Sequence, residues 1–110
     1  MIFDKDDHAT IVFQESPSLP KFLEGLRNSY ARIKNDNLII NLTSFNRLSA
    51  TDLLEFLSLS DKHRAAGHSF ILVTKKVSYD EVPEEINVVP TIQEARDLIE
   101  MEEIERDLDL

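Results

Sequence analysis

The sequence predicts one α/β domain over residues 1–110, in which strands alternate with crossover helices. Short segments rich in β-branched and aromatic residues recur along the chain, and segments with an apolar period of 3.6 residues lie between them. Hydrophobic residues make up 42% of the chain, which is enough to build a core at this length. The elements follow the arrangement ββαβαβ(α)βα.

Two strands and a helix are expected in the N-terminal third. Residues 9–13, with the sequence ATIVF, read as a strand, and residues 2–3 are expected to pair with it across the polar turn 5–7. A helix is predicted over residues 21–34 from its apolar period, and Pro20 just before it is compatible with a first helical turn. The 3.6-residue period places five side chains of this helix inward: Phe22, Leu23, Leu26, Tyr30 and Ile33.

The centre of the chain predicts a buried strand, a helix and a second buried strand. Residues 38–42 form a nearly continuous apolar run, as in strands covered on both faces, and residues 69–74 form the clearest strand of the chain. One helix is expected over residues 51–66, with Gly67 as its left-handed stop. The residues of this helix expected to face inward are Leu53, Leu54, Phe56 and Leu57.

The last strand and helix follow from proline positions and a capping motif. Residues 86–89 read as a short strand that Pro90 ends, and Thr91 and Glu94 form a capping box at the start of the final helix. Four residues are expected in adjacent buried strands: Ile40, Leu42, Leu72 and Val73.

Charge and composition favour some function classes over others. The chain has 12 basic and 21 acidic residues, a net charge of −9, which disfavours direct binding to nucleic acid or to an anionic membrane surface. It has no cysteine, so disulfides, thiolate nucleophiles and zinc–thiolate sites are excluded. Residues 1–7 are acidic and no apolar run approaches the ~20 residues that span a bilayer, which predicts a soluble cytosolic protein.

Residue types that carry catalysis are sparse. His8, His63 and His68 are interpreted as ordinary surface histidines, because no acidic ligand is set beside them and no metal site is expected. No serine lies in a nucleophile elbow. The two glycines, Gly25 and Gly67, lie within a helix and after one, so no loop can cradle a phosphate. We therefore expect neither enzymatic activity nor a cofactor.

The C-terminal segment 94–110 is strongly acidic. It holds eight acidic residues and two arginines, and its end, from about residue 100, is predicted to form an acidic helical tail. One interpretation is an exposed amphipathic helix that keeps the protein soluble. The other is a docking element, in which Met101, Ile104 and Leu108 present a narrow apolar stripe, framed by acids, to a basic groove on a partner.

The segment 49–53, Ser-Ala-Thr-Asp-Leu, follows the central strand and opens the next helix. Ser49 or Thr51 can cap that helix, and the N–H groups at a helix start favour an anion. A phosphoryl group on Thr51 would lie where backbone donors could receive it. Plain helix capping is the alternative interpretation.

These segments together resemble the core of a STAS domain, the family of the bacterial anti-sigma-factor antagonists. The resemblance rests on the strand and its end at 38–43, the helix start at 49–53, Gly67, the strand 70–73 and the segment 89–95. It implies a mixed sheet of four to five strands with helices packed mainly on one face. In the family, the loop before the helix reads Asp-Ser-Ser-Gly-Leu or Asp-Ser-Thr-Gly-Leu.

The family resemblance implies a phosphoacceptor at Thr51, because a partner serine kinase that is also an anti-sigma factor phosphorylates the matching residue. The unphosphorylated family protein binds this partner, and phosphorylation releases it. Here Ser49 replaces the family aspartate, Ala50 replaces the first serine, and Asp52 replaces the glycine, while Leu53 is kept. Asp52 adds a negative charge beside the position that a phosphate would take.

The main hypothesis is a non-enzymatic regulatory module that binds a protein partner through residues 49–53. The partner would resemble the serine kinase and anti-sigma factor. The alternative is a constitutive accessory or dimerisation subunit whose switch is degenerate, with a homodimer or an enzyme as partner. The acidic ending at 101–108 resembles that of small STAS proteins associated with ribonuclease Z, which makes such an enzyme one candidate.

Overall fold

The computed structural model describes residues 1–13 and 18–108. In this part of the chain, a mixed sheet of five strands packs with four α-helices. Between the last two strands, where the arrangement ββαβαβ(α)βα allows an optional helix, the chain forms a 3₁₀ turn at Tyr79–Glu81. The α/β fold that the sequence predicts is confirmed. The elements in chain order are β1 (Ile2–Lys5), β2 (Thr10–Phe13), α1 (Leu19–Ile33), β3 (Leu38–Asn41), α2 (Ala50–Leu54), α3 (Leu57–Ala65), β4 (Phe70–Val73), β5 (Asn87–Val89) and α4 (Ile92–Leu108).

The strands lie in the sheet in the same order as in the chain, β1-β2-β3-β4-β5. β1 is antiparallel to β2, as expected of a short hairpin, and the other neighbours are parallel. In the central pair, Ile40 lies opposite Leu72, and both side chains are completely buried. This confirms that residues 38–42 and 69–74 contribute adjacent strands to the core.

Most of the helical structure covers one face of the sheet. Each connection between parallel strands leads to the next strand in the same direction along the sheet. Right-handed connections of this kind all lie on the same face, which explains why most of the helices share one face. Alternate strand residues, including Val12, Ile40 and Leu72, meet α1, α2 and the start of α3 there. The largest completely buried side chains that the helical segments contribute are Phe22, Leu26, Leu53 and Phe56.

The opposite face of the sheet is covered by α4. Because side chains alternate along a strand, the neighbours Ile39, Ile71 and Val73 point to this side. Ala95 and Ile99 of α4 pack on them and are almost completely buried. The two faces therefore have separate apolar clusters, and α4 stands apart from the other helices.

Two details of the central helix differ from the prediction. The prediction of a single helix over 51–66 is wrong, because the chain forms a tight turn between α2 and α3. In this turn the backbone N–H of Phe56 donates to the carbonyl of Leu53 (3.0 Å). Phe56 is completely buried, whereas Leu54, expected inward, is 43% exposed. The stop at Gly67 is confirmed, with φ of 91°.

Candidate functional site

The loop between β3 and α2 lies at the carboxyl end of the parallel strands and is fixed at its start by Asn41. The Asn41 side-chain oxygen accepts from the backbone N–H of Thr43 (3.1 Å) and from its hydroxyl (2.7 Å). Phe45 then turns inward, is 5% exposed and packs edge-on against Phe22, with ring centroids 5.8 Å apart. The loop thus leaves the sheet along a defined path.

The far end of the loop is fixed by a capping box. The Ser49 hydroxyl accepts from the backbone N–H of Asp52 (3.2 Å), and the Asp52 carboxylate accepts from the backbone N–H of Ser49 (2.9 Å). This reciprocal arrangement satisfies two backbone donors and gives α2 an ordinary capped start. Asp52 therefore has a structural role in this chain.

The five residues of the candidate site have different environments. Ser49 and Thr51 are exposed, whereas Ala50 and Asp52 are half-buried. Leu53 is completely buried beneath them and anchors α2 in the core. The side chain of Thr51 is thus accessible at the helix start and is carried on a segment that is anchored underneath.

The apolar side chain that the site presents is Leu54. It is 43% exposed and directly follows the buried Leu53. It was expected inward like its apolar neighbours, but Leu53, Phe56 and Ser60 form the buried face and leave Leu54 on the solvent side. Together with Thr51 and the exposed Arg47, it gives this end of the molecule an apolar, a hydroxyl and a cationic group. Exposed side chains of these types are suited to contact with another protein.

His63 was expected at the surface, and that expectation is wrong. It is completely buried, and its Nδ1 lies 2.7 Å from the hydroxyl of Tyr30. Its Nε2 lies 2.6 Å from the backbone carbonyl of Asp36. A carbonyl can only accept, so Nε2 carries the proton and Nδ1 accepts from Tyr30. His63 therefore links α3 to α1 and to the turn before β3.

Burial determines the ionisation of this buried pair. Desolvation lowers the pKa of His63 below its ordinary value of 6.5, with a further lowering from the nearby His68, while the hydrogen bond to Asp36 opposes the shift. Desolvation also raises the pKa of Tyr30. Both groups are neutral at pH 7, which fits a structural role. The sequence did carry a signal, since Phe56, Ser60 and His63 are spaced as one helix face.

The amino end of the sheet is closed by a polar cluster. The Ser69 hydroxyl donates to a Glu102 carboxylate oxygen (2.6 Å), and the Arg106 guanidinium donates to the Ser69 hydroxyl (3.3 Å) and to the Asn37 side-chain oxygen (3.4 Å). The same Asn37 oxygen accepts from the backbone N–H of Ser69 (2.9 Å). These contacts tie α4 to the turns before β3 and β4.

Neither a metal centre nor a membrane span is found among the described residues. No group of three or more His, Cys, Asp or Glu side chains in 1–13 and 18–108 is placed to hold a metal ion. In the same part of the chain, no helix is both long enough and apolar enough to cross a membrane. No protein-family profile matches the chain, and no curated protein sequence matches it.

Proposed function

We propose that this protein is a non-enzymatic, cytosolic regulatory module of the STAS type that binds a protein partner through residues 49–53. One observation carries the proposal: Thr51 is exposed at the start of α2, while Leu53 beneath it is completely buried. A partner kinase can therefore reach the hydroxyl without unfolding the loop. The partner surface would cover Thr51 together with the exposed Leu54.

The proposed switch works through charge. A phosphoryl group brings about −1.5 to −2 charges at pH 7, next to the existing carboxylate of Asp52. In a complex, this charge would have to lose its water against the partner surface, which disfavours binding. Unphosphorylated Thr51 would bind the serine kinase and anti-sigma-like partner, and phosphorylation would release it.

A second candidate is a constitutive accessory or dimerisation subunit, with an enzyme such as a ribonuclease Z or a second copy as its partner. The capping box favours it, because the Asp52 carboxylate already occupies the backbone N–H of Ser49. A loop whose donors are satisfied internally has less reason to rearrange when a phosphate arrives. Binding through the same surface would then be insensitive to phosphorylation.

A titration of two Thr51 variants against the partner separates these candidates. The partner is first isolated by affinity purification from the native cell, identified by mass spectrometry and then purified. If Thr51 is a switch, Thr51→Ala leaves binding intact and abolishes release by kinase and ATP, and Thr51→Glu weakens binding at least about tenfold. The matched control is Asn28→Glu, which adds the same charge at an exposed position of α1, outside the surface of Thr51 and Leu54.

The outcomes have distinct meanings. If both Thr51 variants bind like the native chain and no phosphate is added to Thr51, the accessory subunit is the correct candidate. If Asn28→Glu weakens binding as much as Thr51→Glu, general charge repulsion explains the result and the loop is not the binding surface. A reproducible catalytic turnover that disappears on replacing one histidine or serine would contradict both candidates.

A further inference from the structure

The second half of α4 has polar residues facing the protein and apolar residues facing the solvent. Met101, Ile104 and Leu108, called here the apolar stripe, are 57%, 54% and 77% exposed. On the other side of the same turns, Glu102 and Arg106 are partly buried. An amphipathic helix that only covers the sheet would have the reverse arrangement.

Hydrogen bonds keep α4 in this orientation. Glu102 accepts from the Ser69 hydroxyl, Arg106 donates to the Asn37 side chain, and Glu103 accepts from the Asn37 amide nitrogen (3.3 Å). Rotating the helix to bury the apolar stripe would break these hydrogen bonds and leave their polar groups without partners. The exposure of the stripe is therefore a fixed property of the folded chain.

The spacing of the apolar stripe is that of a helix–helix interface. Positions 101, 104 and 108 are three and four residues apart, which matches the a, d and a positions of a heptad repeat. In this register, the exposed residues Glu100, Glu105 and Asp107 occupy the flanking g, e and g positions. These flanking positions set partner choice in paired helices, and here all three are acidic.

A cleft beside the stripe adds further negative charge. It has a volume of about 510 Å³ between α4 and the turn that joins β1 to β2. Ile104 lines it together with four acidic residues, Asp97, Glu100, Glu103 and Asp107. Its basic lining residue, Arg96, is paired with Asp6. A long basic side chain that flanks an apolar partner residue could place its charged end in this cleft while its methylene groups contact Ile104.

We propose that the apolar stripe is a docking site for an amphipathic helix of a partner protein, with apolar residues along its centre and Lys or Arg along its edges. Charge complementarity identifies this occupant, because the segment 94–110 carries a net charge of −6. A second copy of α4 would place acidic flanks against acidic flanks, which is destabilising. An anionic lipid surface is repelled for the same reason.

This docking site is separate from the proposed loop site at 49–53. The loop belongs to α2, on the other face of the sheet and at the carboxyl ends of the strands, whereas the stripe lies near their amino ends beside Asn37 and Ser69. The two surfaces can therefore be occupied at the same time, and the docking proposal does not depend on the function of Thr51.

A synthetic helical peptide tests the proposal with the full chain. The probe has a leucine stripe edged by lysines, and two reference peptides replace either its leucines by serine or its lysines by glutamate. Binding is measured by fluorescence anisotropy, and the contacted residues are identified from backbone amide shifts in NMR spectra. We expect the probe to bind at least about tenfold more tightly than either reference peptide and to shift the amides of residues 100–108.

Two variants locate the binding. Ile104→Ser/Leu108→Ser should weaken probe binding at least about tenfold, whereas the control Tyr79→Ser should change it less than about twofold. Tyr79 is the matched control because it is 77% exposed, like Leu108, but lies outside α4. Thermal melts of both variants should match the native chain, since the replaced side chains are more than half exposed.

Several results would overturn the proposal. Equal binding of the leucine and serine peptides would show attraction by charge alone, and a probe that fails to bind would show that the stripe is not a docking surface. Sedimentation equilibrium supplies one more test. If the native chain is a dimer and Ile104→Ser/Leu108→Ser is a monomer, a second copy is the occupant instead.

Discussion

Replacing Tyr30 by phenylalanine removes one hydroxyl and keeps the aromatic ring. The ring should keep its edge-on contact with the His63 imidazole, at a centroid distance of 5.5 Å, and its contact with the Lys62 ammonium, which lies 5.0 Å from the ring centroid. What is lost is the hydrogen bond of 2.7 Å to His63 Nδ1. Since His63 is completely buried, its Nδ1 is left as an acceptor without a donor.

The expected cost follows from this orphaned acceptor. A buried polar group without its partner costs about 1–3 kcal/mol, more than the net value of an average hydrogen bond. At about 4 °C for each kcal/mol in a domain of this size, the melting temperature should fall by about 4–12 °C. The assay is reversible unfolding by heat and by urea at about pH 7.5, where the imidazole is neutral.

A second tyrosine provides the control for this measurement. Tyr79 is 77% exposed, so Tyr79→Phe makes the same chemical change in water and should alter stability by less than about 0.5 kcal/mol. If Tyr30→Phe is as stable as the native chain, the hydrogen bond to His63 contributes nothing to the fold. The proposed structural role of the Tyr30–His63 pair would then be wrong.

Further predictions concern ionisation and packing. Burial lowers the pKa of His63 in the folded chain, so the unfolded chain binds a proton at this residue at a higher pH than the folded chain does. The free energy of unfolding should therefore decrease as the pH falls below about 6.5. An NMR titration that gives His63 in the folded chain a pKa above 6.5 would refute this. Hydrogen bonds from the backbone N–H groups of His8 and Ala9, and an ion pair with Arg96, lower the pKa of Asp6 to about 2. Its stabilisation should therefore be complete above pH 3.8 and be lost progressively as the pH falls from there through about 2, and an Asp6→Asn variant with an unchanged acid unfolding profile would contradict it. Leu72→Ala should cost about 2–5 kcal/mol in urea unfolding, since Leu72 is completely buried in a central strand, and a loss below about 1 kcal/mol would count against the strand order. Within the described residues the buried hydroxyl of Ser60 has no hydrogen-bond partner, so Ser60→Ala should stabilise the chain by about 1 kcal/mol, and a lower melting temperature would disprove it.

The strands could be predicted from the sequence because their burial on both faces leaves a simple signal. Residues 38–42 and 69–74 are mostly apolar, and short runs of this kind are typical of strands that are buried on both faces. One half of the capping box predicted at the start of α4 is confirmed, because the backbone N–H of Glu94 donates to the Thr91 hydroxyl (3.1 Å). The Glu94 carboxylate accepts from the Thr91 hydroxyl (2.9 Å). Local chemistry of this kind does not depend on tertiary contacts.

The predictions that were wrong concern features that depend on tertiary packing. The turn between α2 and α3 uses ordinary helix-forming residues, so the sequence shows no break there. Leu54 is exposed although its neighbours Leu53 and Phe56 are buried. His63 is buried because Tyr30 and Asp36, far away in the chain, supply its two hydrogen bonds. Periodicity can place a histidine inward, but it cannot identify partners across 27 or 33 residues of chain.

The candidate loop lies between these cases. The helix start at Ser49 could be read from residue types, and the reciprocal contact with Asp52 follows from their spacing of three. The exposure of Thr51 and the anchoring of Leu53 required the fold, because both depend on how α2 lies against the sheet. The phosphorylation of Thr51 stays a prediction.

The identical order of strands in the chain and in the sheet has a consequence for biosynthesis. Each strand leaving the ribosome pairs with the strand made just before it, so the sheet can grow from one edge without waiting for a distant segment. The exception is the face that α4 covers, where Ile39, Ile71 and Val73 stay uncovered until α4 is made. A nascent chain stalled before Ile92 would therefore expose an apolar sheet face, which makes this interval the one in which chaperone binding matters most.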